Sequence, residues 1–239
     1  MHTLTHFRFC PFSRSIRLIL AEIEVAADLV EERPWDWRPE FLALNPAGEL
    51  PVLQLQGGPI LCGSYAISEY IGEEVKTHPR SPGGARPVPL FPGNREDRAE
   101  VRRLVAWFHH KFHKEVSGPL IEERVWNLLR ASSGGQATTR PADPDLVRSV
   151  RSNLRYHMSY VSWLADQRNW LAGDELSFAD FTAAAHLSCL DYLDEAPWDD
   201  YAPAKAWYAR IKSRRAFQPL LADRVPGLAP PAHYTNLDF

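Results

Sequence analysis

Apolar and polar positions alternate over short distances in the first 77 residues of the chain. Four stretches have the length and pattern of β-strands, at residues 3–7, 28–32, 51–55 and 59–62. Four apolar residues after the first stretch share one helical face: Phe12, Ile16, Ile19 and Ile23. Ser64 begins a second helical pattern, so a small α/β domain is predicted over residues 1–77.

The pattern changes after residue 77. Residues 78–93 contain too many prolines and glycines for regular structure, and they are predicted to form a linker between two domains. From Asn94 onward the periodicity is helical, and Asn94 with Asp97 has the spacing of a helix start. We predict an all-helical domain over 94–225, interrupted by a mobile polar loop at 131–144, and an extended tail over 226–239. The predicted buried stripe of its first helix is Val101, Leu104, Phe108 and Phe112.

The sequence "LSFADF" specifies another helix start in detail. Ser177 is placed as the N-cap and Asp180 as the acidic residue of a capping box, while Leu176 and Phe181 have the spacing of a hydrophobic staple. Small and apolar residues follow, so this helix is predicted to be buried and to have a structural role.

Composition and charge exclude several classes of function. The chain has 239 residues, 45% of them hydrophobic, and a net charge of −3, so no basic surface is expected for nucleic acid or an anionic membrane. It has neither a signal-peptide pattern nor an apolar run long enough to insert into a membrane. Its three cysteines, Cys10, Cys62 and Cys189, are far apart and form neither a disulfide framework nor a metal cluster. A reduced, cytoplasmic protein is expected.

Four motifs together resemble the glutathione transferase superfamily: "CPFSR" (10–14), "NPAGELPVL" (45–53), "SYAISEYI" (64–71) and "LSFADF" (176–181). The resemblance implies an α/β thioredoxin-like N-terminal domain plus an all-α C-terminal domain, usually in a homodimer. It also implies a glutathione pocket in which Pro51 is cis, the Leu50 backbone pairs with the thiol peptide, and Ser64 binds a carboxylate.

Cys10 is the candidate nucleophile. Pro11 suits the first turn of a helix, which places Cys10 at a helix N-terminus where the macrodipole favours a thiolate, and Arg14 and Arg17 would add positive potential. The Cys-x-x-Ser spacing resembles thiol transferases that form a mixed disulfide with glutathione. Because Ser13 cannot resolve a disulfide, a dithiol mechanism is excluded. If the chain is an enzyme, its catalytic residues are Cys10 and Ser13.

Gly63 departs from the family pattern. Most of the family carries an acid or a glutamine before the serine that corresponds to Ser64, and that side chain helps to hold glutathione. Losing such a hydrogen bond costs roughly 1.5–3 kcal/mol, which is one to two decades in affinity. Glutathione is therefore expected to bind weakly, and no cofactor is expected. Three interpretations of Cys10 remain open: a structural residue, a catalytic thiol and a redox-sensitive thiol.

Three further segments carry candidate chemistry. Trp35 and Trp37 lie in a polar loop, where one is expected to pack over the boundary between the domains and at least one is a candidate for an interaction. His109 and His113 have a metal-chelating spacing but no third ligand, so a solvated helix face is predicted and no metal site. Residues 210–217 form a basic stretch, interpreted as solvated surface or as a site for an acidic partner.

A closer resemblance concerns a subgroup of the superfamily, the division proteins of alphaproteobacteria that bind the tubulin-like filament protein FtsZ (the FzlA group). The similar segments are residues 1–18, 31–53 and 230–239. It implies a non-catalytic protein at the division site that binds FtsZ filaments and bridges or curves them, linking them to septal wall synthesis. The residues expected to contact the partner are Trp37, Glu122, Arg215 and Asp223.

The alternative function is a glutathione-dependent thiol transferase that uses Cys10. The prolines of the C-terminal tail are expected to exclude a helix, and the tail has two interpretations. It either packs back onto the body of the protein, which is the favoured interpretation, or it extends as a peptide toward a partner such as a septal wall-synthesis protein. Neither binding to nucleic acid nor direct insertion into a membrane is expected.

Overall fold

The structure is a computed structural model that describes residues 1–77, 89–132 and 143–237. The greater part of the predicted linker and of the predicted polar loop lies outside these residues. Every helix in the described part of the chain is too short or too polar to pass through the apolar core of a bilayer.

The N-terminal elements form a four-stranded sheet with helices. In chain order they are β1 (His2–His6), α1 (Pro11–Glu22), β2 (Ala27–Glu31), α2 (Pro39–Leu44), β3 (Val52–Gln54), β4 (Ile60–Cys62) and α3 (Ser64–Thr77). The strand order is β2-β1-β3-β4, with β2 parallel to β1 and the other pairs antiparallel. All four predicted strands are confirmed to within two residues. The sequence pattern missed α2, a short helix that has Pro39 in its first turn.

The C-terminal elements are helices, and the first and longest run of them contains two segments of the wider π-helical form. The helix α4 (Arg95–Ala106) continues without a break through a π-helical segment (Trp107–Ser117), α5 (Gly118–Ile121), a second π-helical segment (Glu122–Trp126) and α6 (Asn127–Ser132). The remaining helices are α7 (Pro144–Gln167), α8 (Phe178–Tyr192), α9 (Ala202–Lys212), α10 (Gln218–Leu221) and α11 (Ala232–Thr235). Short 3₁₀ turns lie at Pro34–Asp36, Trp198–Asp200 and Arg215–Phe217. This arrangement confirms the predicted fold class.

Both predicted helix starts are confirmed. Asn94 accepts hydrogen bonds from the backbone of Glu96 and Asp97, and the Asp97 carboxylate accepts one from the Asn94 backbone. The predicted apolar stripe of this helix is buried throughout. At α8, Ser177 and Asp180 form the predicted capping box.

Asp180 also ties α8 to two neighbouring elements. Its carboxylate accepts hydrogen bonds from the Leu171 backbone and from the Trp207 indole, both at 2.9 Å, and from Ser177 at 3.0 Å. All residues of α8 are buried, and α1 packs against it, so this helix joins the two halves of the molecule. These contacts confirm the structural role predicted for α8.

The C-terminal tail packs back onto the body, as predicted. Tyr234 is fully buried, its hydroxyl donates to the Leu220 carbonyl at 3.0 Å, and its ring lies edge-on to Tyr192 at 5.0 Å. The expectation that prolines exclude helix is wrong for α11. Pro231 precedes that helix as its N-cap, where a missing backbone N–H costs nothing.

Candidate functional site

A cleft of about 650 Å³ lies between the sheet and the helices. Its sheet side is formed by the start of α1, the turn before β3 and the start of α3. Its helical side is formed by the two π-helical segments and by α5 between them. Residues that line it include Cys10, Phe12, Glu49, Leu50, Gly63, Ser64, Tyr65, His109, His110, His113, Glu122 and Trp126. The cleft is therefore where the predicted glutathione pocket and Cys10 come together.

Cys10 is the N-cap of α1, and Pro11 occupies the first helical position, as predicted. Burial nevertheless raises the pKa of the Cys10 thiol, although hydrogen bonds from Ser13 and the Arg14 charge act in the opposite direction. The Arg14 guanidinium itself donates hydrogen bonds to the Arg8 carbonyl and to the Ser188 hydroxyl, at 2.8 Å each. The net pKa shift is opposite to the one expected for an activated thiolate, so Cys10 is protonated at neutral pH.

The residues predicted to form a glutathione pocket have some of the features that the resemblance implies. The Leu50–Pro51 peptide bond is cis, as the resemblance implies, and Ser64 is buried at the start of α3. Gly63 has φ of +84°, and a Cβ atom built there would have no neighbour within 4 Å. The backbone and hydroxyl groups that would hold the peptide therefore remain, whereas the acceptor side chain is missing and its place is open.

The two tryptophans of the polar loop have the two different environments that were predicted. Trp35 lies edge-on to Phe7 at 5.2 Å and contacts Trp126 at 5.3 Å, so it packs across the boundary between the sheet and the helices. Trp37 is 61% exposed and has a left-handed backbone with φ of +49°. One face of its ring lies against Gly48, where a Cβ atom would come within 2.8 Å. Trp37 therefore stands exposed beside the cleft.

Glu122 lines the cleft and forms an ion pair with Arg130. The guanidinium of Arg130 lies 5.6 Å from the Trp35 ring and 5.7 Å from the Trp126 ring, within the range of a cation–π interaction. Glu122 and Arg130 thus form a charged rim next to Trp35 and Trp126, whose rings are tilted by 44° to each other. Of the four predicted partner residues, Glu122 lines the cleft and Trp37 lies beside it against Gly48.

Arg215 is exposed and lies elsewhere. It borders a second groove, formed by the end of α1 and the turn before α10, and this groove shares no lining residue with the cleft. The sequence suggested that the basic stretch at residues 210–217 is a solvated surface, but one of its lysines is not solvated. Lys212 is fully buried, where it donates to the Asp191 carboxylate at 3.3 Å and to the His233 carbonyl at 2.9 Å.

Asp223 is not an open surface carboxylate. It accepts two hydrogen bonds from Arg17, at 2.7 and 3.0 Å, and lies 3.6 Å from Arg14. Arg14 is fully buried and Arg17 nearly so, while the Asp223 side chain is only 11% exposed. Asp223 therefore neutralises two internal arginines and joins α1 to the end of α10.

The prediction that His109 and His113 form a solvated face is wrong. His109 is 2% exposed and stacks on Phe12 at 4.6 Å. Its Nδ1 lies 3.0 Å from Nε2 of His186, whose Nδ1 lies 2.8 Å from the Ser117 hydroxyl, and that hydroxyl lies 3.1 Å from Nδ1 of His113. We name His109, His186, Ser117 and His113 the histidine chain. Sequence reasoning missed His186 and Ser117 because neither has a motif around it.

No metal site accompanies these histidines among residues 1–77, 89–132 and 143–237, where no group of three or more metal-ligating side chains could hold an ion. Two of the histidines line the cleft, so the chain is part of its wall.

Comparison with known proteins relates both halves to one family. Residues 4–79 match the model of the glutathione S-transferase N-terminal domain, and residues 138–215 match the model of its C-terminal domain. The chain is 44% identical to FtsZ-localized protein A of Caulobacter vibrioides, over 99% of this chain and 98% of that protein. It is 27% identical to glutathione S-transferase 2 of Saccharomyces cerevisiae, over 90% of this chain and 87% of that protein.

Two solved structures are similar over the whole chain. A glutathione S-transferase from Sinorhizobium meliloti has 45% sequence identity and a TM-score of 0.90, with all of both chains covered. The structure of FzlA from C. crescentus has 41% identity and a TM-score of 0.87, and it covers all of this chain and 99% of that one.

Proposed function

Because the chain belongs to the glutathione S-transferase family, we propose that it is a non-catalytic member that binds FtsZ filaments in cell division. The observation that carries the proposal is the 44% identity to FtsZ-localized protein A, which extends over 99% of this chain. The similarity extends over both the sheet domain and the tail, which supports the proposal for the whole chain.

The cleft supports a loss of catalysis. A glutathione transferase needs a firm grip on the tripeptide and, for thiol transfer, a reactive thiolate. Gly63 supplies no side-chain acceptor, and burial raises the pKa of Cys10. Both features weaken the chemistry while they leave the scaffold intact.

The exposed residues suggest where a filament would bind. Trp37 offers a large rigid aromatic surface next to Gly48 of the cleft, and Glu122 with Arg130 forms a charged rim of the same cleft. Aromatic residues and arginine are enriched at binding hot spots. Arg215 lies on a second groove. Asp223 has a structural role in this proposal, because its carboxylate is already neutralised inside the protein.

We also propose that the protein is a homodimer, because two copies of each surface would let one particle bridge or curve neighbouring filaments. Tyr156 and Trp163 on α7 are more than half exposed within the single chain, which leaves large apolar surface available for self-association. The tail, anchored by Tyr234 and with Leu237 exposed, is the proposed contact to a septal wall-synthesis protein. The place of action is the cytoplasmic side of the division site.

Sedimentation with FtsZ tests the proposal. The purified protein should co-pellet with GTP-assembled FtsZ at micromolar concentrations, and Trp37→Ala or Arg215→Glu should weaken this. Asp199→Ala is the matched control, because Asp199 is 96% exposed and lies in a different pocket. A wild-type protein that stays in the supernatant would refute the proposal.

A second candidate function, a glutathione-dependent thiol transferase, is favoured by one observation. Cys10 lines the cleft beside Leu50 and Ser64, where the sulfur of a bound thiol peptide would lie. In that case Cys10→Ser should abolish turnover of a mixed-disulfide substrate in the presence of glutathione. Equal rates in the variant and the parent would exclude this function.

A further inference from the structure

The strand β2 lies at one edge of the sheet, on which it pairs with β1 alone in the described part of the chain. Side chains of successive strand residues point to opposite faces of a sheet. Leu29 and Val30 therefore lie on opposite faces, yet they are 50% and 43% exposed. Every residue from Asp28 to Glu31 is exposed. Among the described residues, β2 is thus open along its edge and on both faces.

The free edge of β2 carries unpaired backbone groups. The Glu32 N–H donates to the His6 carbonyl of β1 at 2.8 Å. Successive residues of a strand direct their N–H and C=O groups to opposite edges, so alternate residues counted back from Glu32 bond to β1 and the others face away from it. The residues that face away are Ala27, Leu29 and Glu31. Their backbone groups are available to a further strand.

The usual protections of an edge strand are missing from β2. Natural edges are commonly very short, bulged, or interrupted by proline or lysine. β2 pairs with β1 in register over its whole length and contains neither proline nor lysine. The strand at the opposite edge, β4, has three residues and directly follows Pro59. β2 is therefore the edge better suited to accept another strand.

The charge along β2 indicates which kind of strand it accepts. Asp28 and Glu24, which lies just before β2, are exposed and form no ion pair with the residues that the structure describes. Glu31 is neutralised by Arg8. Opposite charges across paired strands are stabilising, and like charges are destabilising. A second copy of β2 would bring its own carboxylates to this edge, whereas a basic segment would neutralise the ones already there.

We propose that β2 accepts an extended basic segment of another protein, which adds a fifth strand to the sheet. Main-chain hydrogen bonds supply affinity in this mode of recognition, and alternate side chains supply specificity. Because Leu29 and Asp28 lie on opposite faces, the segment alternates apolar residues, which cover Leu29, with basic residues, which lie on the side of Asp28. No residue of β2 lines the cleft, and the inference does not depend on FtsZ binding.

A short synthetic peptide of alternating valine and lysine, with blocked ends, tests the proposal. We expect saturable binding at submillimolar concentrations, with NMR shifts and slower hydrogen exchange at the Leu29 and Glu31 amides. In the peptide-free protein these amides should exchange faster than the Val30 amide, which faces β1. The same peptide with glutamate in place of lysine should bind at least about tenfold more weakly. Absence of saturable binding by the lysine peptide would overturn the proposal.

Backbone methylation of the peptide separates strand pairing from a general attraction of charge. One peptide is N-methylated at every valine and a second at every lysine, so each lacks the N–H donors along one of its two edges. One of the two should bind like the unmodified peptide, because its remaining donors face β2. The other should bind at least about tenfold more weakly. Equal binding of the two would overturn the proposal, because only charge is then recognised.

Two substitutions test whether the site is on β2. Leu29→Pro removes a backbone N–H at the free edge, a position where proline is compatible with a strand. The matched variant Leu29→Thr keeps that N–H and should bind the lysine peptide at least about tenfold more tightly than the proline variant. Asp28→Lys should weaken binding of the lysine peptide and strengthen binding of the glutamate peptide, whether or not the proline variant folds. Unchanged affinities in Asp28→Lys would contradict the proposal.

Co-pelleting with GTP-assembled FtsZ separates this inference from the proposed function. Asp28→Lys should co-pellet like the parent, and its loss from the pellet would overturn the claim of a separate partner. If the parent itself does not co-pellet, the proposed function fails and the peptide titrations alone decide the inference. Slow exchange of the Leu29 and Glu31 amides without peptide, together with self-association in sedimentation velocity, would show a second copy at the edge and would overturn the proposal.

Discussion

Removing the Asp223 carboxylate should destabilise the folded protein strongly. In Asp223→Ala, Arg17 loses hydrogen bonds at 2.7 and 3.0 Å, and the fully buried Arg14 loses the carboxylate that lies 3.6 Å away. Two guanidinium groups are then left with little solvent and without the carboxylate that pairs with both of them among the described residues. The sequence suggested a partner contact for Asp223, and that role would leave stability unchanged.

The size of the effect follows from the burial of the two arginines. Leaving one partner of a buried ion pair uncompensated costs about 3–5 kcal/mol. Because the Asp223 side chain is 11% exposed, water can reach the vacated site, and we expect a loss near 3 kcal/mol. With a urea m-value of about 3 kcal/mol per molar, the unfolding midpoint should fall by about 1 M.

Urea unfolding followed by tryptophan fluorescence measures this change. Asp199→Ala is the matched control, because it removes an exposed carboxylate whose ion pair with Lys205 should contribute less than about 1 kcal/mol. A loss below about 1 kcal/mol for Asp223→Ala would show that Arg14 and Arg17 do not depend on this carboxylate. If such a stable variant also failed to co-pellet with FtsZ, the partner role would be correct.

Three further predictions concern the cleft and the core. The free energy of unfolding should fall as the pH is lowered from about 6.5 to about 4. His109 and His113 stay neutral in the folded protein but are protonated in the unfolded chain. Each of them therefore lowers the free energy of unfolding by about 1.4 kcal/mol per pH unit over this range. His109→Phe should make this pH dependence shallower in urea titrations, and an unchanged slope would contradict the low pKa. Gly63→Gln should tighten glutathione binding about tenfold or more in calorimetry, whereas Gly63→Ala, with the same backbone strain and no acceptor, should not. Asp180→Ala should lower the free energy of unfolding, measured in urea, by at least about 3 kcal/mol, because the Trp207 indole and the Leu171 N–H lose their acceptor in the core. A smaller loss would contradict this role of the carboxylate.

Local sequence patterns account for much of the fold. The strands, the capping boxes at Asn94 and Ser177, and the buried stripe of α4 depend on residues within a few positions of one another, so periodicity and capping rules predict them. The four family motifs placed Cys10, Leu50 and Ser64 in one pocket, and the structure brings them together in the cleft.

Features that depend on distant residues could not be predicted in this way. The pair Ser117 and His186 is 69 positions apart, and Arg17 and Asp223 are 206 apart. A histidine on a helix, or an aspartate just after one, is typically solvated unless a partner from another element covers it. Burial by α8 and α1 reverses that expectation for His109 and Asp223, and only the three-dimensional structure shows it.

The most direct measurement is a co-sedimentation titration with GTP-assembled FtsZ, using the wild-type protein, Trp37→Ala and Cys10→Ser. A non-catalytic filament-binding protein should show saturable pelleting at micromolar concentrations, equal pelleting for Cys10→Ser and weaker pelleting for Trp37→Ala. Absence of the wild-type protein from the pellet would contradict the account.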